Sequence, residues 1–82
     1  MFTQGFSVCF SSLALLKNKE KGVVSCLRNK DREIIRKIQA MGITPGQQVF
    51  VEKVFPDFII KIGKNKIKLD SEIVRSIYVR VT

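Results

Sequence analysis

The residues able to do chemistry are few in this 82-residue chain. It has no histidine, two cysteines (Cys9 and Cys26) and seven acidic side chains. No Ser or Cys stands beside a base in a recognisable motif, and no carboxylate pair is placed by one, so the sequence offers no catalytic residues. Borderline metal ions favour imidazole, thiolate or clustered carboxylate. With the two cysteines far apart in sequence, it offers no metal ligands and implies no cofactor either. Cys26 lies in an apolar run and reads as a small hydrophobe, which fits a reducing compartment.

What remains is charge. Fifteen Lys and Arg against seven Asp and Glu give +8, which points to an anionic partner or to a solvated basic surface. Lys61, Lys64, Lys66 and Lys68 gather around one hairpin. Small basic barrels bind RNA, but stacking platforms are scarce: one tyrosine, no tryptophan, and six phenylalanines that a thin core needs. Nucleic acid is therefore the second reading of the charge, after an ordinary charged outer face.

The elements that must position these residues follow from periodicity. Residues 2–10 alternate weakly, as a strand would. The apolar stretch 2–16 is too short and serine-rich to span a membrane and lacks a signal-peptide pattern, so no membrane insertion is expected. Ser11 or Ser12 can cap a short turn. Residues 22–27 read as a strand. Residues 30–41 read as a helix capped by Asn29, with Ile34, Ile35, Ile38 and Met41 on one face.

"AMGITPGQQV" (residues 40–49) then ends the helix and starts a strand. Gly42 stands where a helix ending needs a left-handed residue, with Ile43 placed to touch Ile38. Thr44-Pro45-Gly46-Gln47 has the order of a type II turn. Gly42, Ile43, Pro45 and Gly46 thus read as a structural motif. A phosphate loop would place its glycines before a helix.

Strands are expected at 48–55, 58–62, 66–69 and 76–81, with a capped turn at 71–75. Val49, Val51 and Phe55 are expected inward. If Pro56-Asp57 is a two-residue turn, Val54 pairs with Ile59 on the outer face, beside Phe50. Phe50, Val54 and Ile59, with Lys61 as a polar rim, would then be an exposed apolar patch of the kind that marks a protein contact. Five short strands and one helix, between the first and second strands, are best satisfied by a small closed barrel.

"IIRKIQAMGITPGQQVFV" (34–51), Pro56 and "KIGKNKIKLDSEIVRSIYV" (61–79) resemble the FeoA family, the ferrous iron transport protein A family of SH3-like barrels. The likeness runs over about residues 12–79. It divides the chain into an N-terminal extension, 1–11, and a FeoA-like domain, 12–82. It implies a cytoplasmic, non-enzymatic accessory of ferrous iron uptake that contacts the cytosolic GTP-binding region of the iron transporter. A homo-oligomer is left open. A related domain ends some metal-dependent repressors, so a stand-alone relative of that domain is an alternative. Two departures stand inside the likeness. The family's usual glycine near residue 19 is Lys19, and its longer loop after the second strand is cut to "FPDF".

Overall fold

The computed structural model describes residues 11–81. The alternation at residues 2–10 and Cys9 lie outside the described residues. Six antiparallel strands form one sheet: β1 (Ser11–Ser12), β2 (Lys21–Leu27), β3 (Gln48–Lys53), β4 (Phe58–Ile62), β5 (Asn65–Leu69) and β6 (Ile77–Val81), in the order β1-β6-β2-β3-β4-β5. A 3₁₀ turn at Leu13–Leu15 and two helices, α1 (Arg32–Ala40) and α2 (Ser71–Ser76), complete it. This is mainly β, as expected, with one short strand and one short helix more than periodicity alone supplied.

The inward residues of β2 to β6 meet in one core. Val24, Val49, Val51, Ile60, Ile77 and Val79 are buried there with Leu13, Ile38, Ile43 and Ile73. Burial of this apolar surface, at roughly 25 cal/mol per Å², is the main force holding the sheet curved on itself.

Helix α1 starts on Asp31, whose carboxylate accepts from the Glu33 N–H at 2.9 Å. Asn29, the expected cap, instead accepts from the Asp31 N–H and donates to Ser76 Oγ at 2.8 Å, tying the helix entry to α2. The helix ends as a Schellman motif. The Gly42 N–H reaches Gln39 O, the Ile43 N–H reaches Ile38 O, and Gly42 sits at φ +86°. Ile38 and Ile43 are both fully buried. The following turn closes with Gln47 N–H on Thr44 O, and Gly46 has φ +94°. Gly46 N–H also donates to Val24 O at 2.8 Å, so the turn is bonded directly to β2.

Helix α2 is capped by Asp70, whose carboxylate accepts from the Ile73 N–H at 3.0 Å. Cys26 is disulfide-bonded, so it is not the free small hydrophobe that its apolar neighbours suggest, and it lends no support to a reducing compartment.

Candidate functional site: the outer face of strands β2 to β5

Residues directly opposite one another in antiparallel strands project from the same face. One such row crosses four strands: Lys21 pairs with Phe50, Phe50 with Lys61, and Lys61 with Lys66. A second row beside it runs Lys53, Ile59, Lys68. Each row therefore sets one apolar side chain between lysines. Val49, Val51 and Ile60, the neighbours of Phe50 and Ile59 along their strands, are buried in the core. Phe50 and Ile59 themselves are half-buried, and neither belongs to the core cluster or to the residues packed against it.

The acids on this face are weakly engaged. Glu52 lies 3.7 Å from Lys66 and Asp57 lies 3.8 Å from Lys68. Exposed pairs at such distances contribute from nothing to about 1 kcal/mol. Separating such pairs costs little. Lys21, Phe50 and Lys61, with Gln47, Gln48, Val49 and Gly63, line an open groove of about 520 Å³.

Two of the expected positions differ. Val54 does not pair with Ile59: Lys53 does, because the register shifts between Val51 and Lys53, with Glu52 as the extra residue. The chain leaves β3 at Lys53, and a four-residue connection, 54–57, joins it to β4 where a two-residue turn was expected. Val54 hangs off the sheet, its N–H donating to Asn18 Oδ1. It lines a separate groove of about 460 Å³ with Pro56, Phe58, Leu69 and Val74 of α2. Phe55, expected inward with Val49 and Val51, is 83% exposed in the same connection.

Sequence inspection also missed Lys21 and Lys53. Lys21 lies far from Lys61 along the chain and joins the face only through strand pairing, and Lys53, which plain alternation from Phe50 would turn inward, joins it through the register shift at Glu52. Among the described residues no three His, Cys, Asp or Glu side chains gather as metal ligands, and no helix is long and apolar enough to cross a membrane.

The chain matches the family model for the FeoA domain over residues 11–81. A curated relative from Leptolyngbya boryana, a candidate Fe(2+) transport protein A, is 37% identical over 79 residues, covering 95% of this chain and 96% of that one. The chain belongs to the FeoA family.

Solved FeoA domains share its fold. A FeoA-like protein from Clostridium acetobutylicum superposes with TM-score 0.78 at 23% identity, covering 87% of this chain and 85% of that one. The zinc complex of Stenotrophomonas maltophilia FeoA, described as an SH3 domain protein, gives 0.75 at 19%, covering 85% and 89%. A manganese-dependent transcriptional repressor gives 0.87 at 16%, covering 96% of this chain but 40% of the repressor. The FeoA fold is thus also a part of larger regulators.

Proposed function

We propose that this FeoA domain is a non-enzymatic cytoplasmic accessory of ferrous iron uptake that works by contact with the cytosolic GTP-binding region of the iron transporter. The observation that carries the reading is the pair Phe50 and Ile59. Both are apolar, both lie outside the core cluster, and each is flanked by lysines across its strand row. An apolar centre with a charged rim is how protein interfaces are built. Phe50, Ile59 and Lys61 form the contact. Val54, on the groove beside α2, is outside it.

Nucleic acid is the weaker reading, because Phe50 is the only aromatic side chain in the two rows and sequence-tolerant binding of single strands uses several.

Replacing Phe50 and Ile59 together by Asp tests this. A carboxylate in an apolar interface carries a large desolvation cost. The double variant should keep the parental thermal midpoint within a few degrees, and its affinity for the purified cytosolic region should fall at least ~10-fold, or ~1.4 kcal/mol. Val54→Asp should bind as the parent does. A folded double variant with parental affinity would refute the contact.

A further inference from the structure

Among the described residues, strand β5 ends the sheet order, paired with β4 on one side only. Ile62 and Asn65 face each other across the two-residue loop Gly63–Lys64, and Gly63 has φ +60°, the geometry of a type II′ hairpin. In such a hairpin the flanking pair exchanges both backbone hydrogen bonds. Alternation then makes Ile60–Ile67 and Phe58–Leu69 bonded pairs as well. The N–H and C=O groups of Lys66 and Lys68 consequently point away from β4, toward the free edge. No other backbone hydrogen bond among the described residues reaches them.

The side chains along this edge sort by face. Lys66 and Lys68 are on the outer face, well exposed, next to Lys61 and Ile59. Ile67 is on the inner face, half-buried against the core. Lysines on an edge strand repel indiscriminate pairing. A second copy of β5 laid alongside would set lysine against lysine, which is unfavourable. A strand carrying carboxylates opposite Lys66 and Lys68, and an apolar side chain beside Ile67, has no such penalty.

We propose that β5 is a docking edge that takes an extended acidic–apolar segment of a partner protein as a seventh strand. Backbone bonds to Lys66 and Lys68 supply affinity, and the alternation of carboxylate and apolar side chains supplies selection. This rests on the reading that the chain works by protein contact, and names the chemistry of one partner segment.

The probe is a blocked octapeptide alternating glutamate and valine, with a control of the same composition in two blocks, titrated by fluorescence anisotropy and by amide NMR. The alternating peptide should bind at least tenfold tighter than the block control. It should slow amide hydrogen exchange at Lys66 and Lys68, whose N–H groups have no backbone partner among the described residues. Lys66→Glu with Lys68→Glu should weaken it at least tenfold. Proline is tolerated on an edge whose N–H faces solvent, so Lys68→Pro should weaken binding at least threefold more than Lys68→Ala.

Equal binding of the two peptides overturns the proposal, as does an unchanged exchange rate at Lys66 and Lys68 in the parent protein. So does an oligouridylate that binds this edge as tightly as the peptide, or a dimer formed through β5. The assay contains no transporter. Its failure, beside an intact Phe50–Ile59 contact, would remove the edge proposal and leave the accessory reading standing.

Discussion

Lys19 occupies a backbone position made for glycine. Its φ is +73°, the one positive value at a non-glycine among the described residues. The resemblance read from the sequence implies a glycine near this position; here the left-handed conformation carries a lysine side chain. The turn is fixed from both sides: Lys19 N–H donates to Val51 O at 2.7 Å, and Val51 N–H donates to Glu20 O at 2.8 Å. The chain cannot relax out of the strained region without breaking its junction with β3.

A left-handed conformation costs an L-residue about 1–2 kcal/mol. Glycine removes that cost but loses about 0.5–1 kcal/mol to the extra freedom of the unfolded chain. The Lys19 side chain is exposed, so no packing is lost. Lys19→Gly should therefore stabilise the domain by ~0.5–1 kcal/mol, raising its midpoint by about 2–8 °C at this chain length. Lys19→Ala is the control, since it removes the charge and keeps the strain. Urea unfolding at constant slope measures the difference. If Lys19→Gly is no more stable than Lys19→Ala, the strain argument is wrong.

Two other glycines separate conformational from steric cost. At Gly46 an added Cβ would meet nothing within 4 Å, but φ is +94°. Gly46→Val should lose ~1–2 kcal/mol through backbone strain alone, and Gly46→Asn should recover part of it in urea unfolding. At Gly22, in β2, an added Cβ would lie 2.9 Å from the Arg80 carbonyl oxygen and 3.3 Å from Val79 Cβ. Gly22→Ala should force β2 and β6 apart and lose ~1–3 kcal/mol, with faster amide exchange along that pair; parental exchange there would show that the strands yield freely.

The sequence was most legible where local chemistry decides. Gly42 and Ile43 end a helix in a way few other residues could, and the capped turn at 71–75 was visible from its local residues, Asp70 being the cap. Val49 and Val51 could be assigned inward by alternation. Legibility failed where pairing between strands, or a contact with a distant segment, decides. The extra residue at Glu52 shifts the register by one, which is enough to carry Val54 and Phe55 out of the sheet. Asn29 was misread as the helix cap because its partner, Ser76, comes 47 residues later. Phe50, Ile59 and Lys61 could be placed on one face from alternation within their own strands. The lysines that frame them, Lys21 and Lys53, could not.

The most direct test of the account is an amide NMR titration of the labelled FeoA domain with the unlabelled cytosolic GTP-binding region of the transporter. Contact through this face predicts saturable shifts centred on Phe50, Ile59 and Lys61 and persisting near physiological salt. Shifts confined to the groove of Val54, Pro56 and Val74, or no shifts at all, would contradict it.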